Sequence, residues 1–165
     1  DLSNYFMNLG RMNKHIVPSF RTPSSFVTFR LARLQNNLNA QASFLLRSKA
    51  DLSLVEWRLI QSLRMFENAS LTELSGHVQM DKGQLSRKIS AMVKKGLLRV
   101  EKDKDDLRIQ HLHLTEKAQH LSDQMMPTME ARQTLLLADV PKDDLVTFYR
   151  VLEKIEEASK NRDIE

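Results

Sequence analysis

The stretch "LTELSGHVQMDKGQLSRKISAMVKKGLL", Leu71 to Leu98, decides how this chain is read. It divides around Gln79–Asp81 into two runs of helical periodicity. The first, Leu71–Val78, opens behind "SLTE", where Ser70 can accept from the backbone N–H of Glu73 while the Glu73 side chain reaches back. The second, Lys82–Lys95, opens behind "DKGQ", a looser cap with Asp81 and Gln84. Gly96 stands where a helix closes in the left-handed region. Two short helices joined by "QMD" have the length and punctuation of a helix-turn-helix.

The second helix has two unlike faces. At 100° per residue, Leu85, Ile89, Met92 and Val93 fall within an arc of about 100°, the width of a core-facing stripe. The other face carries Gly83, Arg87, Ser90, Ala91 and Lys94, with Gln84 at its margin and no acid. Small residues, hydroxyls and bases on a bare helix can enter a major groove. A solvated face of an ordinary amphipathic helix would look similar, so this helix alone does not decide function.

Downstream the period changes from helical to alternating. "LLRVEKD" and "RIQHLHLT" read as two strands joined by the charged tip "KDKDDLR". In the second strand Gln110, Leu112 and Leu114 share one face, and Ile109, His111 and His113 share the other. A ribbon directly after a reading helix is the layout of a winged helix. Lys102, Lys104 and Arg108 at the tip could reach phosphates or the narrow, negative minor groove. Asp103, Asp105 and Asp106 do not suit that purpose and are expected to support Arg108 or the turn.

Upstream, "SLVE" places Ser53 and Glu56 as a capping box for Leu54–Phe66, whose stripe carries Trp57, Ile60 and Leu63. "SSFVTFRLARLQNNLNAQASFLLRS" reads as one long helix capped by Ser24 or Ser25, with Val27, Leu31, Leu34, Leu38 and Leu45 in one stripe. After the ribbon, Thr115 caps a helix to about Leu137. Pro141 breaks the chain, and a last helix follows with Asp143 and Asp144 in its first turn. Its stripe is Leu145, Phe148, Leu152 and Ile155.

Charge is distributed in blocks. Residues 82–108 hold nine Lys/Arg against four Asp/Glu, and residues 1–49 hold seven against one, while both remaining segments are acidic on balance. A local basic stripe is the electrostatic footprint of a phosphate-bearing partner. The 165-residue chain has no cysteine, which removes disulfides, thiolate metal sites and thiol switches together. No apolar run approaches the roughly 20 residues of a membrane span, and no secretory leader is visible, so a cytoplasmic protein is expected. His111, His113 and His120 fall short of the four ligands a zinc site wants, so no metal is expected. Glycine-rich phosphate loops, Gly-x-Ser-x-Gly and His-Glu-x-x-His are absent from the sequence, and no enzymatic activity or cofactor is expected.

Segment 52–116 resembles the MarR family of winged helix-turn-helix transcriptional regulators. The resemblance is carried by "LSLVEWRLIQSL", by the opening stretch through "KKGLL", and by "DLRIQHLHLT". Asp106, Arg108, Leu112, Leu114 and Thr115 fall on the family's Asp-x-Arg, spaced apolar and Leu-Thr positions. Ala118 departs from it, standing where the family often has Gly. The resemblance extends over most of residues 25–158 and leaves residues 1–24 unaligned.

It implies a mainly α fold with a small β-hairpin wing, a winged helix-turn-helix flanked by N- and C-terminal dimerisation helices. The expected domains are an arm (1–24), a dimerisation helix (25–48), the DNA-binding domain (52–115) and C-terminal dimerisation helices (116–160). The function it implies is a homodimeric double-stranded DNA-binding regulator, a repressor, with a recognition helix (82–95) and a wing (101–109). A two-fold dimer reads a pseudo-palindromic operator with half-sites about 10–10.5 bp apart. On this basis Lys82, Gln84, Ser86, Arg87, Ser90 and Lys94 of the helix and Lys102, Lys104 and Arg108 of the wing contact DNA, with Asp106 orienting Arg108. Family members often hold a small aromatic or anionic effector. Trp57, Phe29 and Arg30 have the chemistry to line such a site, though core packing is the commoner fate of a tryptophan, and the pocket stays unassigned. The alternative is a winged-helix protein–protein interaction module without effector.

Overall fold

The computed structural model describes residues 23–66, 71–78, 80–102 and 110–161. The wing tip, including Lys104, Asp106 and Arg108, and the Ser70 cap lie outside the described residues, as does the arm up to residue 22. The chain divides into two units with the boundary between Phe44 and Leu45.

Helix α1 spans Val27–Ala50. Ser24 and Ser25 belong to a 3₁₀ turn, Pro23–Ser25, and α1 opens directly after Phe26. In the first unit Ala42 is buried, Leu31 and Leu38 are half-buried, and Phe29 and Leu34 are exposed. The end of α1, in the second unit, closes on Asp51, whose φ of 51° is in the left-handed region. The Leu52 N–H then bonds the Leu46 carbonyl at 3.3 Å. An aspartate tolerates this conformation better than most side chains.

The rest of the second unit follows the expected order. Helix α2 is Leu54–Met65, with both halves of the Ser53–Glu56 capping box formed. Helix α3 is Leu71–Val78 and α4 is Lys82–Lys94. The Asp81 carboxylate accepts from the Gln84 N–H at 2.9 Å, a cap worth about 1 kcal/mol. At the other end Gly96 takes φ 68°. Its N–H bonds the Val93 carbonyl and the Leu97 N–H bonds the Met92 carbonyl, each at 2.9 Å. This pairing satisfies two carbonyls that a free helix end would leave open.

Strands β1 (Leu98–Lys102) and β2 (Gln110–Leu114) then form an antiparallel ribbon in which Leu98 faces Leu114 and Val100 faces Leu112. Thr115 caps α5, Glu116–Leu137, by accepting from the Ala118 N–H. The Thr115 hydroxyl also donates to the Gly96 carbonyl at 2.7 Å. One residue therefore starts α5 and fastens the base of the wing to the end of α4. Helix α6 spans Lys142–Ser159 and buries no residue.

One cluster holds this unit together: Trp57, Leu59, Ile60 and Leu63 from α2, Leu74 and Val78 from α3, Leu85, Ile89 and Met92 from α4, Leu98 and Leu112 from the ribbon, and Ala118 and Met125 from α5. Each fully buried large side chain contributes about 1.5–3 kcal/mol. Val93 does not join it. It is 39% exposed, because the buried stripe centres on Leu85, Ile89 and Met92 and Val93 lies at its edge. Trp57 belongs to this core at 7% exposure, the commoner fate of a tryptophan. Among the described residues no helix is long and apolar enough to cross a membrane.

Candidate nucleic-acid interface

Packing of Leu85, Ile89 and Met92 into the core turns the remaining surface of α4 outward. Lys82, Gly83, Gln84, Ser86, Arg87, Ser90, Ala91 and Lys94 are all exposed. The structure therefore brings six of the sequence-predicted contact residues onto one helix, with side chains spaced along about three turns. Ser90 already donates its hydroxyl to the Ser86 carbonyl at 3.0 Å, leaving its lone pairs to accept. Lys102 is exposed at the far end of β1. Lys104, Arg108 and Asp106 lie outside the described residues. His113 sits 3.7 Å from the Glu101 carboxylate and is half-buried. Among the described residues no group of three or more His, Cys, Asp or Glu side chains could hold a metal ion.

The charged residue that sequence reading missed is Glu56. Its capping role was legible, but its side chain is only 2% exposed and reaches α4. The carboxylate accepts from the Ser53 N–H at 2.8 Å and lies 3.1 Å from the Lys95 ammonium and 3.8 Å from that of Lys88. Burial alone pushes its pKa up. The Ser53 N–H and hydroxyl and the Lys95 ammonium outweigh that and hold the carboxyl below the usual glutamate range.

Folding stability is coupled to pH through Glu56. The group titrates near 4.3 in the unfolded chain and lower in the folded one. Its stabilisation is complete above that value and is lost as pH falls through the folded pKa. The stability gap between wild type and Glu56→Gln is expected to be flat above about pH 5 and to shrink below about pH 4, measured by denaturant titrations. A gap unchanged down to about pH 3 would show that the charge of Glu56 contributes nothing.

A second polar cluster ties α2 to α5. Arg64 bonds the buried Ser122 hydroxyl at 2.7 Å and the Asp123 carboxylate at 2.6 Å, and Gln61 bonds the same hydroxyl at 2.8 Å. Beside it opens a cleft of about 530 Å³ lined by Leu63, Arg64, Arg99, Leu112, His113, Leu114, Gln119 and Asp123. Its lining combines the guanidinium groups of Arg64 and Arg99 and the His113 imidazole with the Asp123 carboxylate and three leucines.

Comparison with known proteins bears on the same segment. Residues 52–109 match the model of the MarR family. A curated relative, an uncharacterized HTH-type transcriptional regulator of Bacillus cereus, is 22% identical over 144 residues, spanning 87% of this chain and 95% of its own. A MarR/EmrR family transcriptional regulator from Acinetobacter sp. ADP1 has a similar structure, with a TM-score of 0.74 and 23% identity over 81% of this chain and 94% of its own. So does MepR of S. aureus, solved as a DNA complex, with a TM-score of 0.74 and 12% identity over 83% of this chain and 99% of its own.

Proposed function

We propose, from the match of residues 52–109 to the MarR family, that the chain is a homodimeric repressor of that family reading a pseudo-palindromic operator. It is a DNA-binding transcriptional regulator rather than an enzyme. The observation that carries the reading is the outward face of α4, exposed along its whole length and free of acids. That face lies in the major groove, with Gln84, Ser86, Arg87 and Ser90 toward base edges and nearby phosphates and Lys82 and Lys94 toward phosphate. The wing, with Lys102, Lys104 and Arg108, approaches the flanking minor groove, and Asp106 orients Arg108.

Dimerisation is supported by apolar surface that a single chain leaves uncovered. On α6, Val146, Phe148, Tyr149 and Val151 are exposed, Tyr149 by 53%. On α1, Val27, Leu34 and Phe44 are exposed. A second copy burying these helices forms the two-fold interface, which needs about 1,200–2,000 Å² in all. Release from DNA by a small aromatic or anionic ligand belongs to the same proposal, with the cleft beside Arg64, Arg99 and His113 as its seat.

Selection of bound duplexes from a random pool tests the whole reading. The expected winner carries two inverted half-sites about 10–10.5 bp apart, bound by a dimer in sedimentation. Its affinity is expected to fall steeply with salt, because each neutralised phosphate releases counterions. A pool with no enriched sequence and no salt dependence favours the protein–protein alternative.

A further inference from the structure

One carboxylate grips the reading helix at two points. Lys88 lies in the middle of α4 and Lys95 is its C-terminal cap. They are seven residues apart, two helical turns or roughly 10 Å along the axis, and fall on one stripe. Both ammonium groups converge on Glu56, at 3.8 and 3.1 Å. Glu56 is itself pinned, since its Oε2 accepts from the Ser53 N–H at 2.8 Å and the Ser53 hydroxyl accepts from its N–H at 3.3 Å. The Lys95 end is held from the other side as well. Its carbonyl accepts from Lys117 at 2.9 Å, and Thr115 donates to the Gly96 carbonyl at 2.7 Å.

Close packing of Leu85, Ile89 and Met92 in the core fixes how deeply α4 sits. The two ion pairs on its flank, Lys95 at 3.1 Å and Lys88 at 3.8 Å from the Glu56 carboxylate, add an electrostatic tether against rolling. A base-reading constellation must be held within about 10–20° of its working orientation. Arg87 immediately precedes Lys88, so any roll that stretches the Lys88–Glu56 pair swings Arg87 across the groove. The same contact turns both ammonium groups toward the Glu56 carboxylate, Lys88 partly covered and Lys95 still exposed, and gives each a partner that competes with phosphate.

We propose that Glu56 is a positioning residue for DNA reading: its buried carboxylate, shared by Lys88 and Lys95, sets the roll of α4 and withholds those two lysines from non-specific phosphate contact. This rests on the reading of α4 as the DNA-contacting helix. It predicts that the network governs the ratio of specific to non-specific binding more than affinity as such.

The test uses the full chain and two duplexes, the one enriched by selection and a scrambled one of equal length, titrated at several salt concentrations. In Glu56→Gln the preference for the selected duplex is expected to shrink on the order of tenfold, the loss that one mismatched base pair produces. Scrambled-duplex affinity is expected to hold or rise, with a salt dependence steeper by up to about two counterions per subunit as the lysines are released. The double variant Lys88→Gln with Lys95→Gln leaves the capping box intact and guards against a folding defect. It is expected to lose preference equally, without the rise on scrambled DNA. Lost folded protein weakens both duplexes by one factor, so an unchanged ratio in both variants overturns the proposal. A wild-type chain that shows no preference overturns the reading of α4, and with it the role of Glu56.

Discussion

Alanine at position 57 is expected to lower the stability of the second unit by about 3–5 kcal/mol, the range for a buried aromatic truncated in a close-packed core. Trp57 is the only tryptophan of the chain, 7% exposed, and shares one cluster with Leu59, Ile60, Leu85, Ile89 and Met92. Removing the indole takes apolar area from the burial term and leaves a cavity that α2 and α4 cannot close without moving their backbones. Because natural domains are stable by only about 5–15 kcal/mol, such a variant keeps little margin. Unfolding followed by circular dichroism in denaturant measures the loss, since the substitution removes the fluorophore. The outcome also separates the two roles open to an aromatic residue in this position. A core residue costs stability. The wall of a ligand site would leave stability within about 1 kcal/mol and change only the response to small anions.

The sequence made local structure legible wherever a backbone group had to be satisfied by a neighbour a few residues away. Ser53 with Glu56, Asp81 with Gln84, Gly96 and Thr115 each mark a helix end through a contact within the next turn, and α2, α4 and α5 begin or end at them. Periodicity placed Leu85, Ile89 and Met92 inside for the same reason. It misplaced Val93, since a helical wheel gives the direction of a side chain but not where the neighbouring surface stops. Ser24 and Ser25 had the chemistry of a cap but lie in the 3₁₀ turn before α1. Glu56 shows the deeper limit. A glutamate at the third position of a capping box is ordinarily solvated, and nothing in its surroundings along the chain announces two lysines from another helix. Its role exists only once α2 and α4 pack. The cleft beside Arg64 has the same origin, being assembled from α2, both strands and α5.

Alanine at position 87 is expected to weaken operator binding by about 1–3 kcal/mol per half-site, roughly 5- to 150-fold, and to relax sequence preference at one base pair of each half-site. The expectation depends on geometry and on what else competes for the guanidinium. Arg87 is exposed on α4, whose sequence holds no acid. The nearest acid along the chain, Asp81, spends its Oδ1 on the Gln84 N–H, and Glu56 is engaged by Lys88 and Lys95. The guanidinium therefore meets DNA without first breaking one of those ion pairs. A planar fork can bond O6 and N7 of one guanine together, which an ammonium cannot match, so Arg87→Lys is expected to lose most of the discrimination while keeping the charge. Lys94→Ala supplies the contrast. A phosphate contact carries no sequence information, so its loss weakens selected and scrambled duplexes alike and lowers the salt slope by about one. Titration of the three variants against duplexes mutated one base pair at a time reads the difference directly. If Arg87→Ala behaves as Lys94→Ala does, Arg87 is a backbone contact, and sequence reading by α4 falls to Gln84 and Ser90, whose side chains offer amide and hydroxyl groups to the base edges.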